Sequence, residues 1–371
     1  MRLLITGGGT AGHVYPALSV VEALKKARQA ADTPGDLSLT WVGSVAGLEG
    51  DIVRRSNIQF RGIGLKGGLR GVGPLAALRG LIGLKIGFFQ AIGVVRSTRP
   101  QVILATGGYV SVPAVLAGWI LRVPTLLYLP DIEPGWAVRF LAPFARRIAV
   151  TMEESRRFFS PRKVVVTGYP VRQGLSGQDK RAARQSFGLE PDMRTLLVMG
   201  GSRGAHRINM ALSHALPHLL LTYQIIHVTG QQDATLMRSL RDELPSELKR
   251  RYRPYGFLHD DMPMALAAAD LVVCRAGAAV LGEIPAAGLA AVLIPYAGGH
   301  RDQERNAAYL AARGAAMCID DADLSAATLE EAINKVGEPQ TLSVMQQAAV
   351  ALARPDAATA IANELTALAE H

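Results

Sequence analysis

Only two cysteines occur in the 371 residues, Cys274 and Cys318. They match no metal-ligand spacing and exclude a disulfide framework, which fits a reducing cytoplasm. The start, Met1-Arg2-Leu3-Leu4-Ile5-Thr6, runs into glycines after too few apolar residues for a signal peptide, so the chain is expected to stay in the cytosol. A Walker lysine motif, a Cys/His cluster and a Gly-x-Ser-x-Gly elbow are all missing. Asp321-Ala322-Asp323 has the form of some metal-dependent transferase motifs. It lies in a polar stretch before a helix at Ala326 and reads as helix entry rather than a metal site. Neither a metal nor a cofactor is expected.

What is present is a globular composition, 49% hydrophobic and 19% charged, which excludes a disordered chain. The length suits two domains of about 150 to 200 residues each. A net charge of +9 suits nucleic acid, an anionic membrane or an anionic substrate, and composition alone does not choose.

Short apolar runs alternate with segments of helical spacing such as Ala17–Ala27. Leu3–Thr6, Leu39–Val42, Val102–Ala105 and Thr125–Tyr128 read as buried parallel strands. Leu196–Met199, Ile225–Thr229, Leu271–Cys274 and Ala291–Pro295 repeat the rhythm. Two such series predict an α/β chain with two doubly wound domains. The expected divisions are 1–168, 169–354 and a C-terminal Ala-rich helix within 355–371 that packs back on the first domain.

Four motifs carry chemistry, each following a strand. Gly7-Gly8-Gly9-Thr10-Ala11-Gly12-His13 opens a helix, where glycines allow close approach and helix-start N–H groups attract anions. A dinucleotide site would also ask for an acid at the end of the second strand, which reads Val42-Gly43-Ser44. His13 suits a general base, or it caps its own loop. Gly200-Gly201-Ser202-Arg203-Gly204-Ala205 is a second such turn, with Ser202 as a phosphate donor or as part of a plain tight turn. In Arg275-Ala276-Gly277-Ala278-Ala279-Val280-Leu281-Gly282-Glu283, small residues leave room for a flat ligand. Glu283 is expected about two turns into a helix, facing a ribose or merely solvated. In Asp302-Gln303-Glu304-Arg305-Asn306, the amides of Gln303 and Asn306 suit sugar hydroxyls or a surface helix. Separately, Gly71–Val95 mixes Leu, Ile and Phe with Arg79 and Lys85. The charges argue against a spanning helix; a segment lying on an anionic membrane and a buried helix plus loop both fit.

Taken in order, these motifs, with Thr106-Gly107-Gly108-Tyr109-Val110-Ser111-Val112-Pro113 and Gly168-Tyr169-Pro170-Val171-Arg172, resemble the lipid I N-acetylglucosaminyltransferases of glycosyltransferase family 28. The resemblance covers nearly the whole chain. It implies the GT-B architecture, two Rossmann-like domains facing a cleft. It implies an inverting transfer of N-acetylglucosamine from UDP-N-acetylglucosamine to lipid I, an undecaprenyl-pyrophosphate-linked muramyl peptide. The enzyme would sit peripherally on the cytoplasmic side of the cell membrane, on an anionic surface, with no nucleic acid. By resemblance His13 is the base. The donor is held by Thr10, Ala11, Gly12, Arg172, Ser202, Leu258, Arg275, the run Ala278, Ala279, Val280, Leu281, Gly282 and Glu283, and Gln303. Leu258 would offer its backbone to uracil. Tyr109 and Asp131 fall on the acceptor side. That side departs from the family: Tyr128-Leu129-Pro130-Asp131 replaces a His-Glu-Gln-Asn run, and Val138 and Tyr169 replace asparagines. A transferase acting on another lipid such as diacylglycerol, or a non-catalytic nucleotide-sugar-binding subunit, stays open.

Overall fold

The computed structural model describes residues 1–30, 36–45, 47, 49–65, 74–172, 174–175, 177–201, 204–298 and 302–370, with only the backbone for residues 11, 74–79 and 81. Ser202 and Arg203, and two basic residues that precede the Gly71–Val95 segment, Lys66 and Arg70, lie outside the described residues. The chain divides into two compact units, Met1–Val171 with Pro355–His371, and Arg172–Arg354.

The first unit holds β1 (Arg2–Thr6), β2 (Ser38–Ser44), β3 (Gln59–Ile63), β4 (Val102–Ala105), β5 (Thr125–Leu129), β6 (Arg147–Val150) and β7 (Val164–Val166). They form one parallel sheet in the order β3-β2-β1-β4-β5-β6-β7. The second unit holds β8 (Thr195–Met199), β9 (Gln224–Val228), β10 (Tyr252–Tyr255), β11 (Leu271–Cys274), β12 (Ala290–Leu293) and β13 (Ala316–Cys318). These are parallel in the order β10-β9-β8-β11-β12-β13. Both sheets are doubly wound, as the alternating pattern predicts. Central strands such as β4 and β11 are buried along their whole length, because helices cover both faces of a parallel sheet.

Five strands escape the apolar-run reading: β3, β6, β7, β10 and β13. Four of them are sheet edges. Edge strands such as β3 and β10 need no continuous apolar run, and β10 even carries Pro254, whose missing N–H is tolerated there.

The tail forms the helix Ala357–Glu370. Its Ile361, Ala362 and Leu365 join the core of the first unit with Leu3, Ile5, Val14 and Val21. Arg147 Nε on β6 meets Glu364 Oε2 at 3.1 Å.

A buried polar network crosses the second unit. His227 on β9 accepts from the Tyr252 hydroxyl at Nδ1, 2.7 Å, and donates from Nε2 to Asn209 Oδ1, 2.9 Å. Asn209 Nδ2 donates to Thr229 O and Asp233 Oδ2, both at 2.7 Å. Burial pushes the His227 imidazole down to about 3. The native state therefore holds it neutral, while the unfolded chain protonates below about pH 6.5. The stabilisation from this group is full above that pH, erodes as pH falls, and is gone once pH has passed about 3. Its slope reaches about 1.4 kcal/mol per pH unit. Urea melts at pH 7 and pH 5 on the parent and on His227→Gln measure it. An equal loss of stability in both would show that another group sets the slope.

Candidate functional site

In doubly wound sheets, ligands gather beyond the carboxyl ends of the strands where the winding reverses. In the first unit that point lies between β1 and β4, which are neighbours. The loops after them are the Gly7–Thr10 turn and the Thr106–Val110 turn. In the second unit it lies between β8 and β11, followed by the Gly200–Ala205 turn and Arg275–Gly277. Every glycine-rich motif of the sequence thus falls at a switch point.

In the first unit, Gly7-Gly8-Gly9 leads into the helix Ala11–Gln29. Gly9 has φ +84, a backbone conformation that favours glycine. A Cβ on Gly7 would collide with Thr106, and one on Gly108 would lie 2.6 Å from Gly8 O. Trp41 Nε1 donates to Gly7 O at 3.1 Å, and Thr106 Oγ1 donates to His13 O at 2.6 Å. His13 Nδ1 lies 3.0 Å from Gly8 O. A carbonyl only accepts, so this bond puts the proton on Nδ1 and the lone pair on Nε2. The ring also lies against Gly107, where a Cβ would stand 3.4 Å from Nε2. The loop-capping role and the tautomer a base requires are the same contact.

Sequence reasoning missed Glu49. It opens the helix Glu49–Arg55 and is 1% exposed. Its Oε2 accepts from Gly9 N–H at 3.2 Å and its Oε1 from Ser44 N–H at 2.8 Å. The carboxylate absent from the end of β2 arrives five residues later, and it faces loop amides. The one signal in the sequence is an acid after Gly47, where a helix begins.

On the acceptor side, the Tyr109 hydroxyl donates to Gly80 O at 2.7 Å and burial raises its pKa. Tyr128, Leu129 and Pro130 are interior, and the Tyr128 hydroxyl pairs with Thr151 Oγ1 at 2.9 Å. Asp131 is half-buried in the loop after β5.

In the second unit, Gly200 and Gly204 are required by packing. A Cβ on Gly200 would collide with Ala205, and one on Gly204 would lie 2.6 Å from Thr229 O. Gly201 and Gly277 differ: among the described residues, a Cβ on either meets nothing within 4 Å. Gly277 also has an ordinary φ of −64, so neither packing nor backbone explains it, and it leaves open space beside Ala278 and Ala279. The helix His206–Thr222 begins beyond the loop with no side-chain cap. Its first residue, His206, bonds Asp233 at 3.0 Å and so joins the buried network.

Glu283 sits elsewhere than expected. Ala278–Leu281 is a 3-10 turn, and Glu283 is the first residue of the short helix Glu283–Ala287. It is buried, not solvated, and its Oε1 accepts from Arg172 Nε at 3.0 Å. Two candidates far apart in sequence are thereby brought together.

Arg275 Nη1 reaches Asp321 Oδ1 at 2.6 Å and Ile294 O at 3.1 Å, and its guanidinium lies 5.4 Å from the Tyr296 ring centre. The other oxygen of Asp321 faces Arg207 Nη1 at 3.5 Å. Asp321 is therefore a buried anchor for two guanidiniums, which corrects the helix-entry reading; Ser325 caps the helix Ala326–Gly337 instead. Arg207, the second residue after the glycine turn, is a cation that the motif pattern did not single out. Gln303 Oε1 accepts from Tyr296 N–H at 3.0 Å. Asn306 is fully buried and donates to Ala276 O at 3.1 Å. It fastens the Arg275–Gly277 turn, and burial removes it as a sugar ligand. Leu258 is buried in the loop between β10 and the helix Met262–Ala268. Among the described residues, no group of three or more His, Cys, Asp or Glu is placed to hold a metal ion.

Models of known families match both units: the glycosyltransferase family 28 N-terminal domain over residues 3–150 and its C-terminal domain over residues 195–361. A relative from Roseiflexus sp. (strain RS-1) is 42% identical, covering 98% of this chain and 94% of its own length. One from Desulforamulus reducens is 37% identical, covering 96% of each. Both are named UDP-N-acetylglucosamine--N-acetylmuramyl-(pentapeptide) pyrophosphoryl-undecaprenol N-acetylglucosamine transferase. Among solved structures, Acinetobacter baumannii MurG matches with TM-score 0.73 at 24% identity, covering 99% of each chain. A UDP-GlcNAc 2-epimerase from Neisseria meningitidis matches with TM-score 0.65 at 14% identity, covering 99% of this chain and 100% of its own. At these identities the structural likenesses speak for the fold.

Proposed function

The chain belongs to glycosyltransferase family 28, and from that membership we infer that it moves N-acetylglucosamine from UDP-N-acetylglucosamine to the muramyl C4 hydroxyl of lipid I, forming lipid II. The observation that carries this reading is full-length similarity, at 42% identity, to a relative named for that transfer. The acceptor hydroxyl gives its proton to His13 Nε2. Its oxygen attacks the anomeric carbon opposite the UDP, the bond to UDP breaks, and the sugar inverts. The leaving diphosphate is met by the uncapped start of the helix His206–Thr222 with Ser202, and by the charge of Arg275 and Arg207 around Asp321. Glu283 and Arg172 receive the ribose, Leu258 the uracil and Gln303 the sugar; Thr10, Ala11 and Gly12 complete the donor site. Tyr109 and Asp131 lie toward the acceptor.

A changed acceptor would follow if the departing residues Tyr128, Leu129 and Pro130 faced the substrate. Tyr128, Leu129 and Pro130 are interior, which favours lipid I over diacylglycerol. Purified protein is expected to release UDP with a lipid I analogue and to form the disaccharide product, with no turnover on diacylglycerol. Release of UDP on diacylglycerol alone would reverse the assignment, and tight donor binding with no turnover on either would mark a binding subunit.

The first unit docks on the cytoplasmic face of the membrane through the helix Pro74–Thr98. Ile82, Ile86 and Phe89 are 50%, 49% and 69% exposed, and their spacing puts them on one helix face. Phe88 instead packs against the core, and the side chain of Leu81 lies outside the described residues. No described helix is long and apolar enough to cross a membrane. Apolar side chains on such a face enter the headgroup boundary, while exposed Lys85 adds about 1 kcal/mol of attraction that salt screens. Changing Ile82, Ile86 and Phe89 to Ser should weaken binding to anionic vesicles and spare turnover of a short-chain soluble acceptor. Unchanged vesicle binding would move the docking surface elsewhere.

A further inference from the structure

The peptide joining Gly8 to Gly9 is gripped at both ends. On its amide side, Gly9 N–H donates to Glu49 Oε2 at 3.2 Å. On its carbonyl side, Gly8 O accepts from His13 Nδ1 at 3.0 Å. Resonance makes the peptide one planar, polarisable group, so the two hydrogen bonds form a relay from carboxylate to imidazole. The fold makes room for that carboxylate with three glycines. A Cβ on Gly8 would lie 2.6 Å from Glu49 Oε1, one on Gly43 would lie 2.9 Å from Glu49 Cγ, and one on Gly47 would collide with the carboxylate. Ser44 N–H holds the second oxygen. At 1% exposure Glu49 is interior and does not reach substrate.

We propose that Glu49 is a positioning residue that sets the orientation and basicity of His13 through the Gly8–Gly9 peptide. The proposal rests on His13 being the base. In glycine turns that bind nucleotides, the loop amides face a phosphate; here the amide of Gly9 is taken by the protein's own anion. A negative charge at the amide end makes the Gly8 oxygen a stronger acceptor. That favours the imidazolium formed when Nε2 takes a proton, much as a carboxylate behind a metal-bound or catalytic histidine does by direct contact. Removing the charge should weaken the base and also free the ring to turn.

The test uses the full chain labelled with 15N-histidine and 15N-glycine, with the His13 signal assigned by its loss in His13→Gln. In Glu49→Gln, the His13 titration midpoint should fall by about half a pH unit or more, and the acid limb of kcat/KM should move down with it. Glu49→Asp, which keeps the charge, should hold the midpoint nearer the parent's. Tyr15, Tyr109, Asp131, Glu133 and Arg139, carried on the same and neighbouring segments, remain in every variant, so their fields cancel in the comparison. If Glu49→Gln does not fold, the parent itself decides: the Gly9 amide proton should follow the His13 titration and stop moving in His13→Gln. An unchanged His13 midpoint in folded Glu49→Gln, or a Gly9 amide that ignores the titration, overturns the proposal. Undiminished kcat in His13→Gln would instead remove the base assignment and leave the relay standing.

Discussion

Glutamine in place of His13 is expected to lower kcat by about 10²- to 10⁴-fold while UDP-N-acetylglucosamine still binds. The residue that replaces it matters. Glutamine can still donate to Gly8 O, so the glycine turn keeps its cap and Thr106 keeps its bond to the His13 carbonyl. What disappears is an atom that can take up a proton near neutral pH. The loss should therefore fall on the chemical step, and the KM for the donor should move little. Steady-state kinetics with a soluble lipid I analogue, beside calorimetry of donor binding, separate the two. A kcat within about threefold of the parent, with the variant folded, would pass the role of base to another residue such as Asp131.

Glu283→Ala should have two effects of different kinds. Donor affinity is expected to fall by about 1–3 kcal/mol, the range for a charge-assisted hydrogen bond to a ribose. Stability should fall as well, because Arg172 loses the carboxylate at 3.0 Å and keeps only 18% side-chain exposure. Removing the carboxylate from a buried ion pair costs up to about 3 kcal/mol. Glu283→Gln separates the effects, since its amide oxygen can still accept from Arg172 Nε. It should restore much of the stability and less of the binding. Calorimetry with UDP, run well below the melting temperature of each variant, measures affinity; urea melts measure stability. Unchanged affinity in Glu283→Ala would place the ribose elsewhere.

Much of the fold was legible because buried parallel strands write themselves as apolar runs. β1, β4, β8 and β11 could be read almost to the residue, and they are the strands that flank the two switch points. Strands such as β3 and β10 could not, since a sheet edge tolerates Gln59, Arg61 and Pro254. The site divides in the same way. Glycine turns were visible because backbone requirements are local. The partners that complete them were not: Glu49 reaches back 40 residues to Gly9, Arg275 forward 46 to Asp321, and Arg172 forward 111 to Glu283. A side chain's partner across such a distance is set by the folded sheet and leaves no period in the sequence. The same holds for Asn306, whose amide looked fit for a sugar and is sealed against Ala276 O.

The tail helix Ala357–Glu370 belongs to the first unit although the whole of the second unit precedes it in the chain. During synthesis the first sheet must therefore wait, with the surface that Ile361 and Leu365 will cover still open, until the whole of Arg172–Arg354 has emerged. Domains usually mature in the order in which the ribosome delivers them. Here the second unit has all of its chain first, and the earliest-made unit is the last to be finished.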